Sequence, residues 1–259
     1  MKNFRQWLSE KPCFLGPFVR IPRPEIVEIL AFSGFDFVVV DLEHGGNIMP
    51  DKLYTLLLAA EKNNIKLIVR TPGVKEEYCK WLLDIGVDGL QIPHIKTAED
   101  ACKAVTFSRF APAGERGLCR FVRAAEFANI PKETYLSHAN EQSGIILQIE
   151  GKEGLDNIGD IVKVPGIDMI YIGPYDMSQS LGLIGQIWHE DVITAIRKIV
   201  TICKEAGIHT GIFTDTPEGV QKWKELGITY INYRIDVELF LTPTKNHVAD
   251  IKNLFKNAP

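Results

Sequence analysis

DFVVVDLEHGG occupies residues 36–46. Three consecutive valines describe a strand buried on both faces, since a half-exposed strand would alternate apolar with polar residues. Asp41, Glu43 and His44 then place three titratable side chains in four positions, just before Gly45 and Gly46. A buried parallel strand that runs into charge is what an α/β fold delivers at the carboxyl edge of its sheet, where chemistry is done.

The pattern recurs along the chain. Short apolar runs rich in Val and Ile occupy 14–21 (FLGPFVRI), 66–72 (KLIVRTP), 88–95 (DGLQIPHI), 144–150 (GIILQIE), 168–174 (DMIYIGP), 209–214 (HTGIFT) and 229–235 (TYINYRI). Between them lie segments such as PEIVEILAFSG, DKLYTLLLAAEKNN and TPEGVQKWKELG, with apolar residues at three- and four-residue spacing. Eight β-α units in 259 residues are the pattern of an α/β protein built as one (β/α)8 TIM barrel over 1–259. The rival is a doubly wound open sheet. Regular spacing and the absence of GxGxxG after the first run favour the barrel. One connection, about 96 to 143, is long. It carries FAPAGERGLCRFVRAAEF with Arg116, Arg120 and Arg123, and reads as part of a lid or a subunit contact.

Composition narrows the partners. A net charge of −4 gives no reason to expect nucleic acid or an anionic membrane. No apolar run approaches the roughly 18 residues of a membrane span, and the start, MKNFRQWLSEKP, is too polar for a secretory signal. Cys13, Cys79, Cys102, Cys119 and Cys203 form no CxxC pair. They read as reduced thiols, most of them core residues, in a cytoplasmic protein.

In a barrel the site lies where the strands end. Strand two delivers Asp41, Glu43 and His44; strand three Arg70; strand four Gln91 and His94; strand five Glu150; strand six Gly173, Pro174 and Asp176. Strands one, seven and eight offer little by comparison. Asp41 three residues before His44 reads as the orienting partner of a base, or as a simple turn cap. Glu43 reads as a supporting hydrogen-bond partner. Arg70 is a barrel-end salt bridge or an oxyanion donor, and His94 a packing residue or a substrate contact. Glu150 and Asp176 sit at adjacent strand ends, where two carboxylates repel unless a proton or a cation intervenes. A hard divalent ion would suit them; bonds to backbone amides are the alternative. The Gly173-Pro174 turn exposes amides that suit a carboxylate. Metal, arginine and amides together describe a site for a small 2-oxo acid, with an enolate oxygen stabilised by the metal and Arg70.

The stretches GFDFVVVDLEHG, LIVRTPG, LQIPHIKTAEDA, SRFAPAGERG, QIEGKEGLDNI and DMIYIGPYDMSQSLG, with LGLIGQ beyond, run in order from about 34 to 186. Taken together they resemble the HpcH/HpaI aldolases, the metal-dependent class II pyruvate aldolases. The resemblance implies that Glu150 and Asp176 ligate Mg²⁺, Mn²⁺ or Co²⁺, and that Arg70 holds the keto oxygen. It implies that His44, oriented by Asp41, is the acid/base acting with a water. Gly173, Pro174 and nearby amides would hold the pyruvate carboxylate, with Phe18 and His94 on the substrate. The partners implied are a 2-oxo acid and an aldehyde. The assembly implied is a homo-oligomer, trimer or hexamer, with the C-terminal helix exchanged between subunits. The tail FLTPTKNHVADIKNLFKNAP has Val248, Ile251, Leu254 and Phe255 on one face. Tyr175, Tyr233, Arg234 and the His94 of QIPHI depart from the family's usual residues, which leaves the aldehyde open. A CoA-thioester lyase of the citrate or malyl-CoA type, an oxaloacetate-decarboxylating relative and a non-catalytic 2-oxo-acid-binding barrel remain as alternatives.

Overall fold

The computed structural model describes residues 3–45 and 49–256; Gly46 of the opening motif lies outside them. The eight runs are eight strands: β1 Phe14–Val19, β2 Phe37–Asp41, β3 Lys66–Arg70, β4 Gly89–Ile92, β5 Gly144–Ile149, β6 Met169–Ile172, β7 His209–Thr214 and β8 Tyr230–Ile235. They close in sequence order, and β1 pairs in parallel with both β2 and β8. An open doubly wound sheet is thereby excluded.

The valine run is explained by the two faces of a barrel strand. Val38 and Val40 join the layer between barrel and helices, with Leu67, Val69, Leu90 and Ile170. Phe37 and Val39 point into the barrel with Phe14, Ile68, Ile146 and Tyr230. Both layers are apolar, so no alternation is visible. The short helix Phe4–Leu8 closes the N-terminal end, with Phe4, Trp7 and Leu8 buried. The Trp7 and Phe14 rings lie 4.3 Å apart and Phe37 stacks on Tyr230 at 3.9 Å. Phe4 packs so tightly that a Cβ on Gly144 would lie 2.2 Å from its ring, which accounts for that glycine.

A second device repeats beneath the barrel. Gly34, Gly86 and Gly166 take positive φ of 89°, 92° and 96°, a conformation glycine adopts without penalty. Two residues later come Asp36, Asp88 and Asp168. Each carboxylate accepts the backbone N–H of the second residue of the preceding strand: Leu15 at 3.0 Å, Leu67 at 2.9 Å and Ile145 at 2.8 Å. Each also holds a cation: Lys11, Lys66 at 2.6 Å and Arg109 at 2.8 Å.

The long connection contains the helices Ala98–Ser108 and Lys132–Gln142, with the 3₁₀ turn Arg123–Ala128 between. Arg116 bonds Asp84 at 2.5 Å, and Arg123 bonds Glu61. Both carboxylates lie at the ends of helices that feed β4 and β3. These arginines therefore anchor the excursion at the N-terminal end, which corrects the lid reading. The helix Asp236–Lys256 follows β8 directly, and Val248, Ile251, Leu254 and Phe255 are exposed on it; the last three residues of the tail lie outside the described ones. All five cysteines are free, and burial pushes the thiols of Cys79 and Cys203 up to about 11 and about 12. No helix among the described residues is long and apolar enough to cross a membrane.

Candidate active site

At the other end of the barrel the inward positions become polar. Asp41, Arg70, Gln91, Gln148 and Tyr171 occupy them, all buried. The register places Asp41 opposite Arg70, Arg70 opposite Gln91 and Gln148 opposite Tyr171. Asp41 is fully buried, and Arg70 grips it with two parallel bonds, Nε to Oδ1 at 2.9 Å and Nη2 to Oδ2 at 2.8 Å. The Phe18 ring lies under the guanidinium at 4.7 Å. Burial raises the Asp41 pKa, but the Arg70 hydrogen bonds and charge outweigh it and hold the carboxyl below the usual carboxylate range.

Asp41 does not orient the His44 imidazole. Its Oδ1 accepts the backbone N–H of Glu43 at 3.1 Å and of His44 at 3.2 Å. Asp41 thus shapes the turn and aims Arg70. Gly45 follows because the chain passes against Asp41 itself: a Cβ there would lie 1.8 Å from the Asp41 carbonyl oxygen. The His44 ring stands at the rim, 59% exposed, with Nε2 3.9 Å from Glu43.

His94 is exposed like His44 but makes more contacts than expected. Its backbone is left-handed, with φ 63°, a conformation that non-glycine residues hold at a cost and that clusters at functional sites. The backbone N–H donates to Glu150 Oε1 at 2.9 Å. The imidazole spans two carboxylates, with Nδ1 2.7 Å from Glu150 and Nε2 2.7 Å from Glu43. Gln91 donates to Gln148 at 2.6 Å, and Gln148 in turn to Glu150. Burial pushes the Glu150 carboxyl above the usual range, against the opposing Gln148 bond and His94 charge. Gly173 is required beside it, since a Cβ would come within 2.8 Å of Glu150 Cβ.

The donor chemistry fits a divalent ion. Ligand atoms of Glu43, His94 and Glu150 all lie within 4.8 Å of one another. Glu43 Oε2 is buried and accepts no hydrogen bond, with Arg70 Nη1 3.2 Å away. Oxygens with one imidazole suit Mg²⁺, Mn²⁺ or Co²⁺. The structure gathers Glu150 with Glu43 and His94; Asp176 is exposed on the first turn of the helix Pro174–Ser180. Asp176 lines a cavity of about 120 Å³, with Phe18, Arg70, Gln148, Gly173 and Pro174. The Gly173 N–H is already bonded to Ile149 at 3.0 Å. The free amides at that turn, among the described residues, are those of Tyr175 and Asp176.

Sequence reading passed over the end of β1. Arg20, one residue beyond it, lines the cavity and donates from Nε to Asp41 Oδ2 at 3.2 Å. Phe213 of β7 and Ile235 of β8 line it as well. The signal available was that Arg20 is the one charged residue in the run FLGPFVRI.

A family model described as HpcH/HpaI aldolase/citrate lyase matches residues 15–243. The hydroxypyruvate/pyruvate aldolase of Paraburkholderia phytofirmans is 31% identical over 251 residues, 95% of this chain and 96% of that protein. The 4-hydroxy-2-oxovalerate aldolase of Novosphingobium aromaticivorans is 34% identical, covering 91% and 89%. Among solved structures, the citrate synthase SbnG superposes with a TM-score of 0.89 at 31% identity, covering 98% of this chain and 99% of that one.

Proposed function

The chain belongs to the HpcH/HpaI aldolase/citrate lyase family and is a carbon–carbon lyase of the aldolase type, and from that premise we propose that it reversibly cleaves a 4-hydroxy-2-oxo acid to pyruvate and an aldehyde. The carrying observation is the Asp41–Arg70 fork, which holds a guanidinium at the cavity that Gly173 and Asp176 line. Arg70 donates to the 2-oxo oxygen and stabilises the negative charge that grows there. Tyr175 and Asp176 amides receive the carboxylate. His44, through a water, takes the C4 hydroxyl proton; the C3–C4 bond breaks, the aldehyde leaves, and the bonding pair becomes that of pyruvate enolate. The proton is returned to C3.

Glu150, with Asp176 as the resemblance implies or with Glu43 and His94 as the distances allow, would hold Mg²⁺, Mn²⁺ or Co²⁺, which would supply Lewis-acid stabilisation of the developing enolate charge. A cytoplasmic location and a trimer or hexamer belong to the same proposal; light scattering on the purified protein checks the subunit number.

The test is pyruvate release from 4-hydroxy-2-oxo acids, first with EDTA and then with each metal restored. Cleavage that stops with chelator and returns with metal is expected. A folded protein that cleaves none of them under any metal overturns the reading. Likeness to the citrate synthase SbnG favours a second reading, enolate addition to a 2-oxo diacid, for which oxaloacetate consumption is the assay.

A further inference from the structure

The polar side chains around Arg70 are tied to one another. Arg70 itself bonds Asp41 through Nε and Nη2, and its Nη1 lies 3.2 Å from Glu43. Gln148 accepts from Gln91 and donates to Glu150. Tyr171 is tied to none of them. It is 2% exposed, and its hydroxyl meets no hydrogen-bond partner among the described residues. Buried hydroxyls are normally satisfied, because leaving one unpaired costs the desolvation of the group. Tyr135 and Tyr230 share that condition, but neither lines the cavity of about 120 Å³. Tyr171 does, beside Arg70, Gln148 and Gly173. Among the described residues it is the one side chain on that cavity whose buried polar atom lacks a partner.

The ring is held in place. Edge-to-face contacts set it 6.5 Å from Phe18 and 6.4 Å from Tyr230. β7 closes beside it, since a Cβ on Gly211 would lie 3.0 Å from Tyr171 Cδ2. A phenylalanine would make the same ring contacts, so packing does not account for the hydroxyl. Phe18 also lies under the Arg70 guanidinium at 4.7 Å, so one ring braces both residues. Burial pushes the phenol pKa well above its usual range, which keeps it a neutral donor. Negative charge grows on the 2-oxo oxygen as the C3–C4 bond breaks, and fixed donors aimed at such an oxygen need no reorganisation when it charges. We propose that the Tyr171 hydroxyl donates a hydrogen bond to that oxygen as a second donor beside Arg70, keeping its own proton throughout. The role rests on the aldolase reading above; the bond is tested by binding, apart from turnover.

Tyr171→Phe removes the hydroxyl and keeps the ring. Oxalate, a planar dianion shaped like pyruvate enolate, and pyruvate itself are titrated by calorimetry into the metal-loaded wild type and variant. Exchange of the pyruvate methyl protons in D2O is followed by NMR. Oxalate affinity should fall roughly 10- to 100-fold, the size of one hydrogen bond to a charged oxygen, and pyruvate affinity by a smaller factor. The exchange rate should fall about as far as oxalate affinity. Tm should hold or rise, because an unpaired buried hydroxyl has been removed. Equal losses for the two acids would place the hydroxyl on the carboxylate they share and overturn the proposal. So would an unchanged oxalate affinity, which leaves the hydroxyl to a buried water, or a lower Tm, which assigns it to the fold. A wild type that neither exchanges the methyl protons nor cleaves any 4-hydroxy-2-oxo acid sinks the aldolase reading; a preferential loss of oxalate binding in Tyr171→Phe then still supports the donor. A wild type that binds neither acid overturns both.

Discussion

The two ends of this barrel use the same residue types to opposite purposes. At the N-terminal end, Asp36, Asp88 and Asp168 each close on a strand N–H and a cation. At the C-terminal end, carboxylates share their partners. Arg20 and Arg70 both serve Asp41, Arg70 also lies near Glu43, and His94, in a left-handed conformation, bridges Glu43 and Glu150. Closed carboxylates stabilise the fold. Open ones hold charge where a ligand can complete the set. The difference lies in how partners are shared, since aspartates serve at both ends.

Substitutions at the two ends should therefore separate activity from stability. The largest effect is expected for Glu150→Gln, with Mn²⁺ affinity, followed by electron paramagnetic resonance, falling by more than the roughly 100-fold that loss of a supporting contact costs. Parallel titrations of Asp176→Asn and His94→Ala show which of the two completes the ligand set, since the true ligand loses affinity and the other keeps it. Next comes Arg70→Lys, which keeps the charge but loses the fork. We expect kcat to fall by about 10²- to 10³-fold, with metal affinity kept; an unchanged kcat removes Arg70 from the chemistry. At the closed end, Asp168→Asn unpairs the buried Arg109. It should cost about 3 kcal/mol in urea unfolding while kcat at 25 °C stays at the wild-type value. A drop in kcat with no loss of stability would erase the distinction between the ends.

A smaller effect is expected with pH. The Asp41 carboxyl is held below its unfolded value by Arg70. Its contribution is therefore full above the unfolded carboxylate range, about pH 4, and is lost as pH falls through the folded value. Urea unfolding between pH 5 and pH 2 should show that loss, with a shallower slope in Arg70→Lys; identical slopes would count against it. The smallest change is Tyr175→Phe at the rim, which removes a 3.0 Å bond to Asp215. It should cost about 1 kcal/mol or less, read as a small shift in Tm.

Much of this was legible in the chain. Apolar runs mark strands because a parallel barrel buries both strand faces, and all eight runs are strands. Asp41, Arg70 and Glu150 were legible as strand-end charges, because the polypeptide can place them nowhere but the carboxyl edge. The roles of their neighbours were not. Asp41 was read with His44 through spacing, yet its nearest side-chain partner is Arg70, from the next strand. Arg20 was missed because it is a lone charge inside an apolar run, and its partners Asp41 and Asp236 are distant in the chain. The Arg116–Arg123 stretch was read as part of a lid or a subunit contact; Asp84 and Glu61 draw it under the barrel, away from a lid's place.

By itself, then, the sequence determined the strand count and which strands end in charge, because burial and periodicity act on residues close in the chain. Only the tertiary structure decided which charges meet. Whether a carboxylate is paired, shared or left open depends on side chains brought across the barrel by register and closure, and on how many cations arrive with them.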